Sequence, residues 1–339
     1  MLKNLFRLCI FGMLATAVLV IITPILSVNN FLYPVRVDSA FVSQQQLIYE
    51  KKVQAGAIDT VINFLYDPSQ LEINYIDVTL TMKDSIRLKG WMSIDSTRMQ
   101  SPLLLIIPDI NEGCINYIPA LKQFCDRGFN VCVMDMRGQG ISGGEYYDPG
   151  MNAVNDVIYM INEFKKMPFI NQIALMGKGT GAGIALKAVS DSAIADVVVL
   201  ENLPIGMKQY FRRKALQEWG MNIQLIMPAL IRSYERKTGI NFDDFRFLEI
   251  LQTIKIPQLF VVANFDTKKE IDESLKLYHA STYEKKKLFI DTKTFLNPKG
   301  LANDKTYYDK ISTFINSSLP PKTKKTRFRK LAFQQLNSF

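Results

Sequence analysis

Residues 171–186 read Asn-Gln-Ile-Ala-Leu-Met-Gly-Lys-Gly-Thr-Gly-Ala-Gly-Ile-Ala-Leu. The apolar run Ile173 to Met176 has the length and content of a buried strand, and the chain beyond the glycines continues as a helix to Val189. Between them Gly177, Gly179, Gly181 and Gly183 mark a sharp turn where backbone must pass close to backbone. A strand entering a helix through such a turn is one crossover unit of a parallel sheet.

The same alternation continues on both sides. Leu103 to Ile107, Asn130 to Met134, Ala195 to Leu200, Gln258 to Ala263 and Lys287 to Ile290 read as buried strands. Tyr117 to Arg127, Met151 to Lys165 and Asp304 to Ser317 read as helices, the last stopped by Pro320-Pro321. Ahead of them Ile73 to Met82 alternates apolar and polar, turns at Asp84-Ser85, and returns from Ile86 to Ile94 as a hairpin. The expectation is an α/β fold: a mostly parallel sheet covered by helices on both faces. From about 204 to 256 the alternation stops, and a mostly helical insertion should sit above the sheet as a cap. Residues 29–70 read as a stalk with a helix from about Gln44 to Leu65. The main domain is then 71–319, and 320–339 is a basic tail.

The net charge of +9 does not point to nucleic acid. Lys3 and Arg7 carry two of the charges, and six more lie in the tail from Lys322 to Lys330. Removing them leaves the segment between near +1, with no basic groove implied. Lys3 and Arg7 precede the apolar run Leu8 to Leu26, long enough to cross hydrocarbon as a helix. Residues 1–28 are therefore expected to be a membrane anchor or uncleaved signal, with a cytoplasmic N-terminus and the domain exported, periplasmic or extracellular. Four cysteines, one of them in that run, make no disulfide framework. A single histidine and no acids at ligand spacing give no metal site.

Asp135-Met136-Arg137-Gly138-Gln139-Gly140-Ile141-Ser142-Gly143-Gly144 is close to a D-x-R-G-x-G-x-S-x-G loop after the fourth strand. Asp84 to Trp91 and the stretch from Thr238 through Phe242 to Ile256-Pro257 fit alongside it. Together these segments resemble the alpha/beta hydrolase superfamily, in its serine aminopeptidase-like branch of membrane-anchored bacterial hydrolases, over roughly residues 68–318. That resemblance implies hydrolysis of esters or peptide amides by a serine, a histidine, an acid and an oxyanion loop. At the serine position of the G-x-S-x-G turn this chain has Gly179. Near the histidine position stand Thr294 and Phe295, neither of which accepts a proton at neutral pH. His279 precedes the last strand and is expected at the surface, away from the turn. Asp266 matches the acid position but has no base to orient. At the oxyanion loop stand Pro108 and Asp109, and a carboxylate there opposes the negative charge such a loop must stabilise.

Thr180 is the nearest substitute nucleophile, although a hydroxyl there is better placed to cap the helix. Cys114, on the oxyanion loop, needs a neighbouring base or cation to ionise. Lys178 and Glu201 are close in the topology and suited to pair, and with Pro108 and Asp109 they are candidates to line a cleft. The leading expectation is a pseudo-hydrolase, anchored to a membrane, that binds a small ligand or envelope protein and uses no cofactor. The alternative is a hydrolase of esters or peptides with relocated, serine-independent groups. A third reading takes Gly177-x-Gly179-x-x-Ala182, with Glu201 about twenty residues on, as a dinucleotide turn.

Overall fold

The computed structural model describes residues 6–7, 10–13, 33, 35–55, 64–94, 100–220, 224, 226–263, 268–291 and 305–321. The span expected from Leu8 to Leu26 falls outside the described residues except for 10–13, as does the tail beyond 321. Among the described residues, no helix is long and apolar enough to cross a membrane.

Eight strands form one sheet: β1 (Ile76–Thr81), β2 (Arg87–Ser93), β3 (Leu103–Ile107), β4 (Asn130–Met134), β5 (Ile173–Lys178), β6 (Val197–Glu201), β7 (Gln258–Ala263) and β8 (Lys286–Asp291). Their order across the sheet is β1-β2-β4-β3-β5-β6-β7-β8, and β2 alone runs antiparallel to its neighbours. Helices covering both faces explain the solid apolar strands: all five residues of β3 are fully buried. On one face, strand residues such as Leu105 and Leu175 pack with α3 (Met151–Lys166) and α4 (Thr180–Asp191). On the other, Leu104, Ile106 and Val133 pack with α2 (Ile118–Asp126) and α9 (Lys305–Ser318).

The leading helix α1 spans Ser39–Gln54, which corrects the expected start at Gln44. Its N-cap is Asp38, whose carboxylate accepts the Phe41 N–H at 2.8 Å, a capping signal that apolar periodicity alone does not register. Residues 56–63 of the expected helix lie outside the described residues.

Between β6 and β7 the chain forms α5 (Met207–Trp219), α6 (Met227–Thr238) and the single turn α7 (Phe247–Ile250), which is the helical insertion expected for 204–256. An aromatic cluster of Phe211, Tyr234 and Phe242 joins its pieces, with ring centroids 4.7–5.7 Å apart. Helix α8 (Lys268–Ala280) precedes the edge strand β8.

One feature of the strand order places the site. From β3 the chain goes to β4 on one side, and then to β5 on the other. The loops leaving β3 and β5 therefore diverge, and a crevice opens at their carboxyl ends, where ligands bind in open α/β sheets. Ile107 of β3 sits beside Gly177 of β5, so the next residues, 108–110 and 178–180, face one another across that crevice.

Candidate functional site

The glycines of the turn are there because chain packs on chain. A Cβ on Gly181 would strike the carbonyl oxygens of Ile107 and Pro108, and one on Gly177 would strike that of Gly181. Gly179 adopts φ +54° and ψ −116°, outside the ordinary range of residues with side chains, and its N–H donates to the Glu201 carbonyl at 2.9 Å. A Cβ there would collide with Cγ and both oxygens of the Asp109 carboxylate. The space that a side chain at position 179 would take is filled from the loop after β3, 70 residues earlier in sequence.

The carboxylate is held firmly. Asp109 Oδ1 accepts the Thr180 N–H at 2.7 Å, the Ile110 N–H at 2.8 Å and the Thr180 hydroxyl at 2.8 Å. The Tyr210 hydroxyl of α5 lies 3.3 Å from both carboxylate oxygens. Tyr147 in turn donates to Thr180 Oγ1 at 2.6 Å, and Gln139 donates to the Asp109 carbonyl at 2.7 Å. Thr180 is thus fully engaged, and its hydroxyl serves the carboxylate. Burial, then the charge of Glu112, push the Asp109 carboxyl above the usual carboxylate range.

Beneath it lies a charged cluster. Lys178 Nζ pairs with Glu112, whose other oxygen accepts the Tyr117 hydroxyl at 2.5 Å. Burial opposes charge on Lys178, but Glu112, Glu201 and Asp109 outweigh it and raise the lysine above its ordinary value. Glu201 is fully buried and accepts the Tyr307 hydroxyl at 2.6 Å, so the lysine's ion pair is with Glu112 and not with Glu201. Burial holds the Glu201 carboxyl above its usual range. Cys114 is also buried, and its thiol donates to Asp135 Oδ2 at 3.4 Å. Burial and that carboxylate push the thiol well up, which opposes its ionisation.

Above Asp109 a cavity of about 170 Å³ is lined by Asp109, Gly179, Asn202, Tyr210, Lys214 and Ser274 among others. Of the residues expected to line a cleft, Asp109 does so; Pro108 and Glu201 are buried under the turn and Lys178 faces Glu112. Asp266, Thr294 and Phe295 lie outside the described residues. His279 is exposed near the end of α8, just ahead of β8. Among the described residues there is no cluster suited to a metal ion. The dinucleotide reading meets two obstacles: a carboxylate already sits at the amino end of α4 where pyrophosphate would lie, and Glu201 is sealed behind Tyr307.

Residues 100–244 match the family described as serine aminopeptidase, S33. In structure the chain is similar to an esterase of Pyrococcus furiosus, with TM-score 0.57 and 17% identity, covering 75% of this chain and 95% of the other. It is similar to an alpha/beta hydrolase of Penicillium sp. sh18, with TM-score 0.53 and 19% identity, covering 73% and 99%. An acetyl xylan esterase of Paenibacillus sp. R4 aligns at TM-score 0.56 and 13% identity, over 86% and 98%. The chain has the alpha/beta hydrolase fold, and its residues 100–244 are similar to that family. No curated protein matches it in sequence.

In an alpha/beta hydrolase the oxyanion hole is built from the N–H after the nucleophile and an N–H of the loop after β3. Here those are the N–H groups of Thr180 and Ile110, and both already donate to Asp109 Oδ1. Ile110, Glu112, Tyr147 and Tyr210 were not singled out from the sequence. Ile110 was within reach, as the neighbour of Asp109 on the oxyanion loop. The other three enter through contacts between distant segments.

Proposed function

We propose that this alpha/beta hydrolase-like protein is a pseudo-hydrolase that binds a ligand in the crevice beneath α5. One observation carries the reading: the Asp109 carboxylate fills both the space of the missing nucleophile and the hydrogen bonds of the oxyanion hole. A carbonyl substrate placed there meets an acceptor where it needs donors, and no hydroxyl at Gly179 to attack it. A cavity remains, with hydrogen-bonding groups on its walls, which supports binding without turnover.

A second reading is a hydrolase with relocated groups. Its support is that Asp109 Oδ1 takes the strong donors while Oδ2 has, among the described hydrogen bonds, only Tyr210 at 3.3 Å. A carboxylate oxygen is a competent nucleophile when a substrate carbon reaches it.

One experiment separates the two: short acyl esters and aminoacyl amides are offered to the protein and to Asp109→Ala, with and without a fluorophosphonate. The pseudo-hydrolase reading expects no turnover above buffer from either protein. Turnover that persists with fluorophosphonate and disappears in Asp109→Ala supports the relocated nucleophile. Turnover abolished by fluorophosphonate contradicts both.

A further inference from the structure

The chain ahead of α1 is strapped across the loop that follows β4. Arg36 donates to the carbonyls of Ser142 and Gly144 at 2.7 and 2.6 Å, and the Tyr33 hydroxyl lies 3.4 Å from Glu145. Lys237, at the end of α6, stands over the Tyr33 ring with its ammonium 5.5 Å from the centroid. Strand β2 meets the same loop: the Gly143 N–H donates to the Arg87 carbonyl at 2.7 Å, and the Lys89 N–H to Ser142 Oγ at 2.8 Å. Segments far apart in sequence thus converge on one surface, at the end of the sheet where the crevice opens. Tyr33, Val35 and Ile141 are 44%, 56% and 41% exposed there. Arg36, Arg87, Lys89, Arg236 and Lys237 are exposed as well, with Glu145 and Glu235 as the acids among them. Residues 204–238 carry seven basic side chains and two acidic ones, although 31–319 as a whole is near +1. Positive charge is therefore gathered at this end of the molecule.

We propose that this surface rests on an anionic lipid bilayer, with Tyr33, Val35 and Ile141 at the headgroup boundary and the surrounding arginines and lysines on lipid phosphates. The charges alone would suit any solvated face. The strap adds what such a face does not need: Arg36 commits its guanidinium to two carbonyls, and exposed apolar side chains lie beside it within a basic rim. Apolar tips within a basic rim are the chemistry of a lipid interface, where the tips leave water and the cations meet a negative surface. A nucleic acid would use the cations but gives Val35 and Ile141 no partner on its phosphate backbone. The sequence adds a second reason. The apolar run Leu8 to Leu26 ends seven residues before Tyr33, a length of chain that reaches at most about 25 Å. A bilayer that takes up that run lies within reach of the strap, and docking on this surface turns the crevice end of the sheet toward it.

The test is hydrogen–deuterium exchange of the full chain mixed with vesicles of phosphatidylcholine, or of phosphatidylcholine with phosphatidylglycerol. Amides of residues 33–37, 140–145 and 232–239 are expected to exchange at least about fivefold more slowly on the anionic vesicles, the effect of one basic side chain reaching a charged surface. High salt should remove the difference. Arg232→Glu with Arg236→Glu, both at exposed positions, should abolish the slowing, and Val35→Ser with Ile141→Ser should reduce it. Exchange of β3 and β5 should stay unchanged in every variant, which separates loss of docking from loss of fold. Equal rates on the two kinds of vesicle, or slowing that survives the arginine reversals, overturns the proposal. A single-stranded oligonucleotide that slows the same amides in place of the anionic vesicles would assign the surface to nucleic acid and overturn it too.

Discussion

The loop from Asp135 to Gly144 and the turn from Gly177 to Gly183 both bond to Asp109, through Gln139 and Thr180, yet they are built differently. In the first, side chains and backbone act together. Asp135 accepts the N–H groups of Cys114 at 2.5 Å and Ile141 at 3.0 Å, and Ser142 donates to its carbonyl at 2.6 Å. Arg137 makes a two-pronged ion pair with Asp156, both contacts at 2.7 Å, and reaches Asp84 of the hairpin at 3.0 Å. A Cβ on Gly140, at φ +43°, would overlap the Asp135 carboxylate, so that glycine is required by the packing. In the second region the backbone turn is present, position 179 carries no side chain, and the Asp109 carboxylate fills the space where one would stand. The frame of this fold and its chemistry are separable: one is held by buried polar bonds, the other by a few side chains at loop ends.

The comparison is broken most sharply at Arg137. Arg137→Met leaves Asp156 buried and unpaired and detaches the hairpin, with an expected loss of about 3–5 kcal/mol in urea unfolding. A loss under about 1 kcal/mol would mean the loop is not what ties hairpin, sheet and α3 together. Next comes Asp135, whose carboxyl burial raises from its ordinary 3.8 to about 6. Because the folded value is the higher one, its favourable contribution is present below about pH 4 and is lost as pH rises through 6. The difference in unfolding free energy between the original protein and Asp135→Asn should therefore change by roughly 3 kcal/mol across that window. A difference that is flat with pH would show that the neighbouring N–H groups leave its proton affinity unchanged.

Much of the frame was readable from residues alone. Continuous apolar strands such as Leu103–Ile107 and the glycine turn after Ile173 each limit the backbone to few options. Glycine at 179, where the family resemblance expects serine, and an acid at Asp109 were readable too. What the residues do not disclose is that these two facts are one. Asp109 and Gly179 meet only because β3 and β5 are neighbours in register, and no periodicity or motif spacing encodes a side chain reaching from one loop into another's vacancy. The same limit applies to Lys178, which topology alone puts near Glu201 but whose partner, Glu112, comes from the loop that carries Asp109. Tyr210 is harder still, because it arrives on a helix of the insertion.

The central claim is that Asp109 occupies the nucleophile's place, and a double-mutant cycle tests it most directly. Gly179→Ser is measured by denaturant unfolding in the original protein and again in an Asp109→Ala background. The serine Cβ meets the carboxylate in the first and open space in the second, while the cost of the positive φ is common to both. The account predicts that the substitution costs at least about 1 kcal/mol less once Asp109 is removed, a coupling typical of residues in contact. Equal cost in the two backgrounds would contradict it.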